Sequence, residues 1–271
     1  MKMPLAVLAL TVVAAAGGAT VCGTQASAES FHSAALGRTM RYRVAVPASP
    51  RDARFPVVYL LHGHGGAEGD WFARSAAAAL ATSLGLVIVT PDGGDSWYLN
   101  TPAERWEDYI VQDLTQEVER RWPVRPGRQS RAIAGLSMGG YGAMKIALRH
   151  PGRYAMAASM SGALDTTRPN SVFSRGREED VIAWFGPPDS ATRSDNDVYR
   201  LAAEARAAEL PYLYVDCGVD DPWFGVNREF AAVLKARGLA HEFHEEPGNH
   251  DWSYWDRQVR VVLQLAATRL Q

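Results

Sequence analysis

Three residue types set far apart in this chain could together do nucleophilic chemistry: a serine, an aspartate and a histidine. Ser137 lies in Ile133-Ala134-Gly135-Leu136-Ser137-Met138-Gly139-Gly140-Tyr141, a G-x-S-x-G pattern between an apolar run and a helix-like stretch. A serine hydroxyl is a weak nucleophile unless it stands clear of the backbone beside a base. A sharp strand-to-helix turn achieves this, and glycine is needed on both sides because a Cβ there would clash across the turn. The helix after the turn would aim its first N–H groups and its dipole at the point where negative charge develops. A plain Gly/Ser turn is spelled the same way, so the partners decide.

Three loops supply candidates. Gly218-Val219-Asp220-Asp221 follows an apolar run ending at Cys217, and a carboxylate there can orient an imidazole and stabilise its charged form. Asp221, three residues after Gly218, is the expected orienter. Asp220 is the close alternative, and both acids could instead cap the helix that starts near Trp223 or Gly225. Pro247-Gly248-Asn249-His250-Asp251-Trp252 opens the last helix, which makes His250 the expected general base among seven histidines. His241 and His244 lie within the preceding strand. In His62-Gly63-His64-Gly65-Gly66 the glycines let backbone approach a substrate, so the N–H groups of His64 and Met138 are expected to hold an oxyanion between them. A metal held by His62 and His64 is the rival use of that loop. No cysteine or third histidine stands at ligand spacing, so no metal site is expected. Trp97 and Trp223 are the expected pocket-lining aromatics. The chemistry is acyl transfer in two steps, with no metal or organic cofactor required.

Such loops need a scaffold that collects them. The chain has 271 residues, 47% of them hydrophobic, and a formal net charge of -2. That suffices for one large core and gives no electrostatic reason to bind nucleic acid or an anionic membrane. Residues 1–28 read as a secretory signal: Lys2, the apolar run Leu5 to Ala16, and Ala26-Ser27-Ala28 as the cleavage site. The run is too short to span a bilayer, so a secreted protein is expected, with Cys217 alone after Cys22 is removed. Residues 29–271 read as a single domain. Met40, Tyr42, Val44 and Val46 alternate with polar neighbours as in a half-buried strand. Pro56 to Leu61, Leu86 to Thr90, Arg131 to Leu136, Tyr154 to Ser161, Pro211 to Cys217 and His241 to Glu246 read as strands. Helices are expected from Asp70 to Leu84, Trp106 to Trp122, Met138 to Arg149, Gly225 to Arg237 and Asp251 to Leu270. In the second of these Ile110, Leu114 and Val118 should face inward and Glu117, Glu119 and Arg120 outward. Residues 162–208 are too polar to bury a core of their own and read as an excursion over the site. Strands alternating with helices imply an α/β fold with a mostly parallel central sheet and helices on both faces, its reactive loops at the C-terminal strand ends.

Taken together, Leu60-Leu61-His62-Gly63-His64-Gly65-Gly66, Pro91-Asp92-Gly93, Gly135 to Gly140, Cys217 to Asp221 and Gly248 to Trp255 resemble the esterase D-like branch of the α/β-hydrolase fold. That branch includes tributyrin-type and feruloyl esterases, S-formylglutathione hydrolases and mycolyltransferases. The resemblance implies Ser137 as nucleophile, Asp221 as acid, His250 as base, and His64 and Met138 as oxyanion donors. Mycolyltransferases carry Asp where His62 stands and Arg where Gly65 stands, the two residues that hold the sugar. S-formylglutathione hydrolases are cytosolic and carry a segment near His64 to Gly66 that this chain lacks. The expectation is therefore a secreted serine carboxylesterase acting on short-chain or aryl esters, its substrate a small-molecule or carbohydrate-linked ester. The alternatives are an acyltransferase using the same residues and a non-catalytic binding protein on the same fold.

Overall fold

A computed structural model describes residues 25–48 and 52–271. The expected signal segment lies outside the described residues up to position 24; its last four residues fall in the first strand. The chain opens with a hairpin, β1 (Gln25–Ser33) and β2 (Arg38–Val46), followed by β3 (Val57–Leu61). Helices α1 (Asp70–Arg74) and α2 (Ala77–Leu84) lead to β4 (Val87–Pro91). A helical stretch comes next: α3 (Trp106–Asp108), a π-helix (Tyr109–Leu114) and α4 (Thr115–Arg121). After β5 (Arg131–Leu136), α5 (Met138–Arg149) and β6 (Met156–Met160), the excursion forms α6 (Glu178–Phe185), α7 (Ala191–Asp195) and α8 (Val198–Glu204). β7 (Tyr212–Gly218), α9 (Phe224–Ala236), β8 (His241–Glu246) and α10 (Trp252–Arg269) complete it.

All eight strands join one sheet in the order β1-β2-β4-β3-β5-β6-β7-β8. The hairpin and its contact with β4 are antiparallel; every other pairing is parallel. β3 through β6 are buried at every residue, as apolar runs covered on both faces must be. Alternate residues feed two cores. Val58, Leu60, Ala132, Ala134 and Ala158 meet Trp71 and the apolar stripe of α10, and Tyr59, Leu61, Ile133, Ala157 and Val215 meet Tyr141, Met144 and Phe230. The fold is the expected α/β sandwich.

Two local readings change. The helix expected from Asp70 to Leu84 breaks at Ser75, which is extended, while the Ala76 N–H goes to Asp256 Oδ1 at 2.7 Å on α10. An acid from a distant helix thus starts a new helix where continuation was expected. The helix from Trp106 keeps Ile110, Leu114 and Val118 inward, but Glu117, expected outside, is buried. Glu117 lies seven residues after Ile110 and three after Leu114, on the helical face they share, and there it reaches the Tyr42 hydroxyl and pairs with Arg120 and Arg121. The excursion shares the main core through Val181, Phe185, Val198 and Tyr199. Cys217 is buried and free, and burial pushes its thiol above the ordinary range.

Candidate active site

The G-x-S-x-G turn is a tight crossing of backbones. A Cβ on Gly135 would fall on the Gly139 backbone, and one on Gly139 would fall on the carbonyls of Leu61 and His62. Ser137 takes φ 54°, ψ −117°, a conformation that is unfavourable for a residue with a side chain. It is held there from three sides. Its N–H donates to Met160 O at 3.0 Å, and its carbonyl accepts from Tyr141 N at 3.0 Å and Ala163 N at 3.1 Å. The strain lifts the hydroxyl off the end of β5.

His250 is brought to that hydroxyl. Its Nε2 lies 3.0 Å from Ser137 Oγ, and its Nδ1 lies 2.8 Å from Asp221 Oδ2. A carboxylate only accepts, so Nδ1 carries the proton and Nε2 is left as the acceptor for the serine hydroxyl. The Asp221 side chain is fully buried, whereas Asp220 is exposed and joins the turn only through its N–H to Gly248 O at 3.0 Å. The capping role held as a rival belongs to the same residue: Asp221 Oδ1 accepts the Trp223 N–H at 2.8 Å, where α9 begins. Gly218 allows this loop to lie against the next, since a Cβ on it would strike Gly248 O. Asp251 caps α10 by accepting from Tyr254 N at 3.0 Å, which fixes the helix directly after His250. The imidazole sits between the ring of Trp223, 4.6 Å away, and the edge-on ring of Trp255 at 4.9 Å.

The two expected oxyanion donors follow β3 and β5, which pair side by side in the sheet. Met138 is the first residue of α5, so its N–H has no intrahelical acceptor. The His62–Gly66 loop passes close beside the serine: a Cβ on Gly63 would stand 2.7 Å from Leu136 Cδ1 and 3.3 Å from Ser137 Cβ. His62 is the internal brace of that loop. Its Nδ1 pairs with Gly63 O at 2.8 Å and its Nε2 accepts the Gly93 N–H at 2.8 Å. Both ring nitrogens are thereby engaged with the backbone. Gly65 N–H donates to Asp95 Oδ1 at 2.5 Å. The His64 ring lies among Trp97, Phe173 and Trp184, with centroids 5.4–6.3 Å away.

Trp223 is half-buried beside His250. Trp97 is not where it was expected. It is fully buried among Tyr141, Phe173 and Phe185, because positive φ angles at both Trp97 and Tyr98 turn that loop inward. It backs the His64 loop from within the core and does not line a pocket.

Sequence reasoning missed the residues beneath this loop. Tyr98 donates its hydroxyl to His62 O at 2.9 Å, and its carbonyl accepts from Lys145 Nζ at 2.5 Å. Lys145 is fully buried against Glu107 at 2.7 Å. Burial opposes a charged Glu107, but Lys145, the bond from His150 and nearby Arg149 outweigh it and hold the carboxyl well below the ordinary range. The signal was present: Met138, Tyr141, Gly142 and Lys145 share one helical face, and a lysine on an apolar stripe needs a buried partner. Asp216, also buried, accepts the Tyr254 hydroxyl at 2.7 Å. Burial pushes its carboxyl up despite that bond.

The arrangement is a hydroxyl, an imidazole and a carboxylate in one hydrogen-bonded line beside a helix N-terminus. A protein-family model described as putative esterase matches residues 33–264. The acetyl esterase of Caldicellulosiruptor saccharolyticus is 26% identical over 248 residues, which span 85% of this chain and 93% of its own. Among solved structures, a ferulic acid esterase superposes with a TM-score of 0.78 at 26% identity, covering 92% of this chain and 100% of that one. The fluorophosphonate-binding serine hydrolase F of Staphylococcus aureus superposes with a TM-score of 0.81, over 90% and 99% of the two chains. At 24% identity this second likeness is one of fold.

Proposed function

The chain belongs to the putative esterase family, and we propose that it is a secreted serine esterase of the α/β-hydrolase type that hydrolyses short-chain or aryl esters through Ser137, His250 and Asp221. The observation that carries this reading is the line of contacts from Ser137 Oγ to His250 Nε2 and from His250 Nδ1 to Asp221 Oδ2. His250 takes the hydroxyl proton as Oγ attacks the ester carbonyl, and the imidazolium is stabilised by Asp221. The oxyanion rests on the N–H groups of His64 and Met138. Collapse of the tetrahedral species breaks the bond to the alkoxy group, which leaves with the proton from His250. Water then attacks the acyl-enzyme with His250 again as base, releasing the carboxylic acid and restoring Ser137.

The test is a ladder of p-nitrophenyl esters from acetate to palmitate with a Ser137→Ala control. Turnover is expected on the short esters, with kcat lower by about 10⁴-fold or more in the control. Equal rates in the two proteins overturn Ser137 as nucleophile. Inert wild type sinks the hydrolase reading; ester consumption only when an alcohol acceptor is added points to acyl transfer. Export is tested by N-terminal sequencing of the protein in the host medium, where a start at Glu29 is expected. Full-length chain confined to the cell overturns it.

A further inference from the structure

The excursion holds a cation that the esterase chemistry does not use. Arg193 on α7 is 7% exposed. Its Nε donates to Gly186 O at 2.9 Å, just past the end of α6. Among the described residues no carboxylate lies within ion-pair distance of it, and its two terminal nitrogens have no protein acceptor. Burial works against its charge with no acid to offset the cost, and its terminal nitrogens rely on solvent or a bound group for partners.

Space opens beside this side chain. Arg193 lines two adjoining cavities, of about 210 and 380 Å³, that share Arg168, Pro169 and Pro188. Asn170 and Ser174 add polar groups to the smaller cavity, and Ser190 and Ser194 to the larger. Arg168 brings a second guanidinium, which pairs with Glu229 at 2.8 Å and lies over the Tyr199 ring. The walls also carry Glu178, Asp189 and Asp197. Asp197 is occupied as the cap of α8, accepting from Tyr199 N at 2.9 Å, and Glu178 and Asp189 are exposed to solvent.

We propose that this cleft is a binding site for a small oxyanion, the carboxylate of an organic acid or a phosphate group, held by the free fork of Arg193 with Arg168 beside it. With Nε engaged, the paired terminal nitrogens present the parallel donors that suit two oxygens of one anion. A bound anion joins α6 to α7. The last two residues of α6, Trp184 and Phe185, pack on His64 and Trp97, so occupancy stiffens the wall behind the proposed oxyanion loop.

The site is tested on the full chain by calorimetric titration and thermal melts with sodium phosphate and, separately, sodium malonate, against sodium chloride at matched ionic strength. Saturable binding and a raised Tm are expected for wild type with at least one of the two anions, and the stronger one names the source. Ser137→Ala should bind equally, which separates this outcome from any failure of the esterase reading. Arg193→Gln should weaken binding at least tenfold, and Arg193→Lys, which keeps the charge but not the fork, by several-fold. If Arg193→Gln does not fold, Arg168→Gln decides, with a several-fold loss expected. No saturable effect beyond sodium chloride in wild type, or undiminished binding in the folded Arg193 or Arg168 variants, overturns the proposal.

Discussion

Asp221 divides two tasks between its two oxygens, one holding His250 and the other holding the start of α9. The tasks respond differently to substitution. Asp221→Asn keeps its one oxygen for the Trp223 N–H and turns its NH2 donor toward Nδ1, which must then accept, so Nε2 carries the proton and cannot take one from Ser137. Its kcat should fall by about 10⁴-fold with KM nearly unchanged, read from steady-state hydrolysis of p-nitrophenyl acetate. Asp220→Asn, on an exposed residue, should change either constant less than about threefold, consistent with an exposed site away from the relay. Equal losses in the two variants would assign the acid to neither. That Ser137 and His250 would meet was legible, because a strained turn demands glycines at fixed offsets and the last strand of such a sheet delivers its loop to the same end. Between Asp220 and Asp221 the spacing left a choice, and in the fold it is the Asp221 carboxylate that reaches His250. Trp97 was misread for a backbone reason: no residue type in Ser96-Trp97-Tyr98 announces two successive positive φ angles.

Lys145 on α5 and Glu107 on α3 support the Tyr98 carbonyl, and through Tyr98 they support the carbonyl of His62. Lys145→Met removes one partner of a buried pair and should cost about 3–5 kcal/mol, measured by urea denaturation. A loss under about 1 kcal/mol would mean that Arg149 and His150 already satisfy Glu107. The same carboxyl gives a pH signature. Its folded pKa lies below the unfolded value near 4.5, so its stabilisation is complete above that value and is lost as pH falls through and below it. Wild type should therefore outlast Glu107→Gln most at neutral pH, the gap narrowing on acidification below about pH 4.5. A gap independent of pH contradicts the assignment. Helix existence was legible from apolar spacing, but the break at Ser75 and the π-turn were not. One depends on Asp256, which is 180 residues away, and the other on a hydrogen-bond shift that leaves the residue pattern intact.

The molecule as a whole is a sheet whose C-terminal edge gathers loops from β3, β5, β7 and β8 into one site. Alternation of strand and helix made the parallel sheet legible; the order of β4 outside β3 was not, because fully apolar strands carry no mark of their neighbours. Asp216 ties β7 to α10 through Tyr254, which bridges the parts that carry Asp221 and His250. Its folded pKa is raised by burial, so it contributes fully below its unfolded value near 3.8 and that contribution is lost as pH rises through the folded value. Asp216→Asn keeps an acceptor for Tyr254 without the buried charge, and its stability relative to wild type should grow between pH 4 and pH 8, followed by denaturant midpoints. A constant difference would place the charge elsewhere. One residue further along the same strand lies the sealed thiol of Cys217. Once Cys22 is cleaved away or replaced by serine, a thiol reagent can react with this chain only when β7 comes open. The speed of that labelling is a clock for how often the strand beneath the acid parts from its neighbours, and it can be read without any substrate.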